Sequence, residues 1–262
     1  MVDERLVTYR LEDGVGIISL NRPEKLNAIS DAMRPYSNEA WEWARNTQEV
    51  RAIVIRGEGR SFCAGRDTTE LGGGRGGTDT DYTYVRRSNQ GRIHSLYHDK
   101  PVVAAVRGHA IGGGCELALF ADIRVGSTDA KLSLPEIKYG ILPDTGGSQF
   151  VTALAGPSRA KLMVLTGELI DGKTAYEWGL FDVLVEPDEV DDRALAIAKA
   201  IAEKSPLAVS VGKTLVDQMY TGMVANGIRQ ELIAQTLLFG SEDYQEARAA
   251  LRESRAPQFK GK

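Results

Sequence analysis

Five consecutive apolar residues, Val102 to Val106, stand just ahead of the triplet Gly112-Gly113-Gly114, and a helical stretch through Cys115 to Ala121 follows. So short and apolar a run reads as a buried strand, and the triplet as a turn that opens a helix. This order of strand, glycine turn and helix sets the character of the chain. Glycine amounts to 28 of 262 residues, above the usual share of about 7%. Besides the triplet, glycines cluster at Gly57 to Gly65, at Gly72 to Gly77 and at Gly146-Gly147.

Other strands precede and follow. Leu6 to Leu11 and Val15 to Leu20 flank Glu12-Asp13-Gly14, a hairpin signal. Ala52 to Arg56, Ile123 to Val125, Lys131 to Leu134 and Phe181 to Val185 read as further strands. Ser30 is expected to cap a helix running to about Thr47, with Pro35 delaying or kinking it. Ser61 to Asp67 leads into a short helix that ends at Gly72 to Gly77, a run expected to be mobile. A helix is expected over Tyr82 to Tyr97. Apolar residues at three- and four-residue spacing mark helices at Asp191 to Ala202, Ser205 to Tyr220, Ala225 to Phe239 and Ser241 to Arg255. The class is α/β, with residues 1–200 as a mixed core and 201–262 as an all-helical region.

Several functions are disfavoured. A net charge of −4 argues against a nucleic-acid surface, and two cysteines cannot form a disulfide framework. No apolar run is long enough to span a membrane, and the polar start has no signal-peptide core, so the expected setting is cytoplasmic. His94, His98 and His109 lack partners at metal-ligand spacing, and Gly146-Gly147-Ser148 is not a nucleophile elbow. Neither glycine cluster continues into a phosphate-loop motif.

What remains is a pair of glycine turns, each entering a helix. Unpaired N–H groups at helix starts can hold an oxyanion, although such turns also serve close strand-helix packing. Glu116 falls in the first turn of the helix behind Gly112 to Gly114, where the helix dipole favours its anion. Glu136 falls among Leu134, Pro135 and Ile137, where a raised pKa is expected. Such a split suits a base and an acid sharing one site. Taken singly, each fits an ordinary helix-start or loop acid equally well.

The ordered set Asn21-Arg22-Pro23, Lys25 to Ala28, Phe62 to Asp67, Gly108 to Leu117, Pro135-Glu136, Gly140 to Gly147, Leu165 to Gly167 and Gly179-Leu180 resembles the crotonase (enoyl-CoA hydratase/isomerase) superfamily over essentially the whole chain. The resemblance implies a spiral of β-β-α repeats, a C-terminal helical trimerisation region, and a homotrimer or hexamer (dimer of trimers) acting on an acyl-CoA thioester. It implies no separate cofactor and no metal, since coenzyme A enters as part of the substrate. It places the backbone N–H groups of Arg66 and Gly113 at the oxyanion hole, and Glu116 and Glu136 at both catalytic positions of an enoyl-CoA hydratase. Arginine at 66 departs from the small residue often found there, but only its N–H is needed.

Substrate and CoA contacts implied by the resemblance are Lys25, Ala28, Ala64, Gly65, Asp67, Thr68 and Gly112. Thr69 stands where some hydratases carry a lysine. Phe259 and Lys262 resemble C-terminal residues that reach CoA from a neighbouring subunit, or else form a solvated tail. Asp144 resembles the acid of dienoyl-CoA and related isomerases, and as a residue after Pro143 it also suits a turn. The resulting expectation is reversible syn addition of water to a 2-enoyl-CoA, as in fatty acid β-oxidation. The alternatives are an isomerase using Glu136 and Asp144, or, remotely, an RNA-binding relative. The Asp31 to Thr47 helix opposes RNA, with Arg34 and Arg45 against Asp31, Glu39 and Glu42.

Overall fold

The computed structural model describes residues 5–70, 98–219 and 221–262. Strands β1 (Val7–Glu12) and β2 (Val15–Leu20) form the expected antiparallel hairpin, with Val7 opposite Leu20 and Glu12 opposite Val15. Asp13 and Gly14 both take positive φ, 48° and 80°, the turn conformation for which Asp-Gly is suited. Strands β3 (Ala52–Gly57), β4 (Val102–Val106), β5 (His109–Ile111), β6 (Ile123–Ser127), β7 (Lys131–Ser133), β8 (Ile170–Asp171) and β9 (Val183–Val185) follow. The main sheet has the order β1-β2-β3-β4-β6-β9, parallel from β2 onward, and β5-β7-β8 form a second, smaller sheet.

Two successive circuits of the chain each lay one strand in the main sheet and one in the smaller sheet. Strand β4 leads to β5, helix α2 (Gly113–Phe120) returns the chain, and β6 leads to β7, which is the β-β-α spiral. Isolated parallel bridges, Cys63 to Ala110 and Ile29 to Arg66, carry the second layer back to the earlier circuits. Alternation along the strands separates two cores. Val103 and Ala105 join Val15, Ile17, Val54 and Val125 beneath α6 (Val190–Ala202), which presents Val190, Ala194, Ala198 and Ala202 at four-residue spacing. Val102, Ala104 and Val106 face the opposite core with Phe62, Leu119 and Leu132.

The remaining α-helices among the described residues are α1 (Arg34–Asn46), α2 (Gly113–Phe120), α3 (Gly147–Ala155), α4 (Pro157–Thr166), α5 (Gly172–Glu177), α7 (Pro206–Asp217), α8 (Thr221–Leu238) and α9 (Glu242–Arg252). Helix α8 sends Val224, Ile228 and Leu232 into the same core as Phe62. The start of α1 differs from expectation. A 3-10 turn, Asp31–Met33, comes first, so Ser30 makes no cap bond to α1. Pro35 lies in the first turn of α1, where its missing N–H costs nothing. Strands β5, with three residues, and β8, with two, are not among those expected from the sequence. The Gly72 to Gly77 run, the Tyr82 to Tyr97 helix and His94 lie outside the described residues. Among the described residues, no helix is long and apolar enough to cross a membrane.

Candidate active site

The two glycine turns pack directly on one another. A side chain at Gly65 (φ 87°) would place its Cβ 2.5 Å from the Ile111 carbonyl oxygen, and one at Gly114 would run into the Cys63 carbonyl. Only glycine permits this backbone approach. Around Arg66 the bridge to Ile29 uses Gly65 C=O (2.7 Å) and Asp67 N–H (2.9 Å), so the Arg66 N–H points away from Ile29. Gly113 opens α2 behind Gly112, whose φ of 52° and ψ of −124° are open to glycine alone. Neither the Arg66 nor the Gly113 N–H has an acceptor among the described residues.

Glu116, one turn into α2, is buried. Its Oε1 accepts the N–H groups of Thr145 (2.7 Å) and Gly147 (2.9 Å). Glu136, in the 3-10 turn Pro135–Tyr139, places Oε1 2.8 Å from where a Cβ on Gly112 would be. Its Oε2 is buried with no partner among the described residues. Such an orphaned acceptor is rare in a folded interior and marks a place where a ligand group is wanted.

The expected split between the two environments is corrected by the structure. Burial raises the Glu116 carboxyl well above the usual range, helped by the negative charges of Asp144, Glu136 and Glu231, and the amide bonds and helix start do not reverse this. Burial likewise pushes Glu136 up to about 7. Like charges that feel one another in this way resist ionising together, so the two carboxyls titrate as a pair. Asp144 contributes its field to both glutamates.

A third glutamate was not singled out from the sequence. Glu231 of α8 is buried and pushed up to about 7 by burial. It accepts the Gly146 N–H (2.8 Å) and the Ser148 hydroxyl (2.5 Å). Its one signal in the sequence is its position at helical spacing from Ile228 and Gln235, on the stripe that Ile228 and Leu232 bury.

The expected CoA-binding residues differ in exposure. Lys25 and Thr68 are exposed, while Ala28 and Ala64 are half-buried. Asp67 is already engaged, by Arg22 (3.2 Å) and the Thr69 hydroxyl (2.7 Å). The Arg66 side chain is held by Asp31 (2.9 Å) and Glu70 (3.2 Å). Phe259 and Lys262 lie on an exposed tail folded against the start of α9 of the same chain, where the Asp243 carboxylate accepts the N–H groups of Lys260 and Gly261. Of the histidines, His98 is buried against Trp41 and lowered to about 4 by burial, and His109 pairs with Ser61 (3.2 Å).

Residues 10–262 match the family model described as enoyl-CoA hydratase/isomerase. The 2,3-dehydroadipyl-CoA hydratase of Escherichia coli is 35% identical over 248 residues, covering 94% of this chain and 95% of that one. A solved carnitinyl-CoA hydratase from Mycobacterium avium superimposes with a TM-score of 0.86 at 31% identity, covering 99% of this chain and all of the other. An enoyl-CoA hydratase structure from Mycobacterium avium subsp. paratuberculosis gives a TM-score of 0.84 at 27% identity, covering 97% and 98%.

Proposed function

The chain belongs to the enoyl-CoA hydratase/isomerase family, a family of enzymes, and from that premise we propose that it catalyses reversible syn hydration of a 2-enoyl-CoA thioester to the 3-hydroxyacyl-CoA. The observation that carries the reading is the pair of glutamates beside the Gly112 to Gly114 turn, Glu116 buried and bound to two amides and Glu136 half-buried with an orphaned buried oxygen. In this reading the thioester oxygen takes the N–H groups of Arg66 and Gly113, which stabilise the enolate charge that develops as water attacks C3. Glu116, ionised, takes a proton from that water. Glu136, protonated, gives its proton to C2. One H and one OH enter the substrate, and the proton moves from Glu116 back to Glu136 through solvent before the next turnover. A pair sharing one proton is the state this cycle requires.

Asp144 supports a second reading, because its charge reaches both glutamates. An isomerase would move a proton between carbons through Glu136 and Asp144 without adding water. Offered crotonyl-CoA, the purified protein is expected to remove the conjugated-thioester absorbance and yield a product heavier by one water. Conversion of a 3-enoyl- or dienoyl-CoA without mass change, and inertness toward crotonyl-CoA, would establish the isomerase reading instead.

Coenzyme A is assigned to the rim formed by Lys25, Ala28 and the Ala64 to Thr68 backbone, with Phe259 and Lys262 of the tail as further contacts. The assembly in this reading is a trimer or a dimer of trimers. Helix α7 supports it by exposing Leu207, Val211 and Leu215 along one stripe, with Met219 just beyond its end and Leu237 of α8 also exposed. An apolar face of this kind favours association. Paired Val211→Asp and Leu215→Asp substitutions are expected to convert the assembly to monomer in light scattering, and an unchanged mass would refute this use of α7.

A further inference from the structure

The Asp144–Ser148 loop is held from two sides at alternate residues. Thr145 and Gly147 donate their N–H groups to Oε1 of Glu116, and Gly146 between them donates to Oε2 of Glu231. At the end of the loop Ser148 donates its hydroxyl to Oε1 of Glu231, and ahead of the loop Gln235 accepts the Leu142 N–H (3.0 Å). One stripe of α8 is shaped for this contact. Gly227 leaves the room that the Gln149 side chain fills, and Ile228, Glu231 and Gln235 continue the stripe at helical spacing.

Two adjacent glycines leave this loop little conformational preference of its own, and Gly146 takes a φ of 98°. External partners must therefore select its conformation. Glu116 itself lies on a different helix, and both of its amide bonds fall on Oε1, leaving Oε2 for water and substrate.

We propose that Glu231 is a positioning residue: it fixes the Gly146 peptide so that the flanking Thr145 and Gly147 N–H groups orient the Glu116 carboxylate. The proposal rests on the reading of Glu116 as the base. It also ties the site to α8, whose outer face carries the exposed Ile233 and Leu237.

The test combines steady-state kinetics on crotonyl-CoA with hydrogen exchange at the Thr145 and Gly147 amides, a readout that needs no turnover. For Glu231→Ala the expectation is a kcat lower by about 10- to 100-fold with KM within about threefold, and exchange at both amides at least about tenfold faster. Glu231→Gln keeps a carbonyl oxygen for the Gly146 N–H and is expected to restore most of kcat and of the protection. If Glu231→Ala does not fold, Ser148→Ala leaves the Gly146 bond in place, removes the Oε1 bond of Glu231 together with the Gln149 Nε2 bond to the Ser148 hydroxyl (2.9 Å), and is expected to move both readouts in the same direction by a few-fold. Exchange at Thr145 and Gly147 within twofold of wild type in the folded variant would overturn the proposal, as would a loss confined to KM. Glu116→Gln is measured alongside. If wild type fails to hydrate, the hydratase reading falls, while amide exchange still decides whether Glu231 holds the loop.

Discussion

Glu136→Gln is expected to lower kcat for hydration by about 10²- to 10⁴-fold while making the protein more stable at pH 8. The two effects share one cause. Glu136 is half-buried, with Oε2 itself buried and unpartnered among the described residues, and its pKa is pushed up to about 7 from an ordinary 4.5. The unfolded chain ionises this group at the lower value, so the stability of the native state is fullest below about pH 4.5 and falls as pH rises through about 7. A rise of that size corresponds to roughly 3 kcal/mol at pH 8. Glutamine has no proton to lose and escapes this cost, but it cannot protonate C2. The thermal midpoint of Glu136→Gln should therefore exceed that of wild type at pH 8, with the gain shrinking toward pH 4.5. Glu116→Gln is expected to lose activity comparably, because its amide cannot accept a proton from water. Full activity in either variant, or a stability difference that is flat with pH, would sink the two-glutamate mechanism.

How far the sequence reveals this site depends on how local each determinant is. The hairpin at Asp13-Gly14 and the apolar runs of β2, β3 and β4 are legible because turn chemistry and burial act on neighbouring residues. Strand β8 is not, since two residues paired to β7 carry no periodicity of their own. Ser30 looked like a helix cap, yet the chain makes a 3-10 turn before α1, and the Ser30 hydroxyl ends buried without a partner among the described residues. The position of Glu116 was legible and its charge state was not. A helix start favours the anion by a modest amount, whereas full burial beside three other carboxylates acts the other way and outweighs it. Those carboxylates come from the turn after β7, the loop before α3, and α8. Glu231 stands at the far end of that range, and its helical spacing from Ile228 places it on a buried stripe without telling what it meets there; the Gly146 N–H and the Ser148 hydroxyl are brought to it only by the fold.

Gly114→Ala is the substitution expected to disturb the site most without touching a titratable group. The added methyl would overlap the Cys63 carbonyl oxygen and lie 2.8 Å from the Cys63 Cβ. Neither obstacle can rotate away, because Cys63 is tied to β5 on both sides, its N–H to His109 C=O (2.8 Å) and its C=O to Ile111 N–H (3.0 Å). The two glycine turns must then separate, and the Arg66 and Gly113 N–H groups move apart with them. Loss of one oxyanion donor costs about 10²- to 10³-fold in kcat elsewhere, and a comparable loss is expected here. The backbone displacement adds a destabilisation of about 1–3 kcal/mol or more, as overpacking does. Helical propensity works in the opposite direction, since alanine is favoured over glycine within a helix by about 1 kcal/mol. A Gly114→Ala protein with wild-type kcat and a raised melting temperature would therefore mean that the turns are not held in contact, and that the oxyanion is stabilised by other groups.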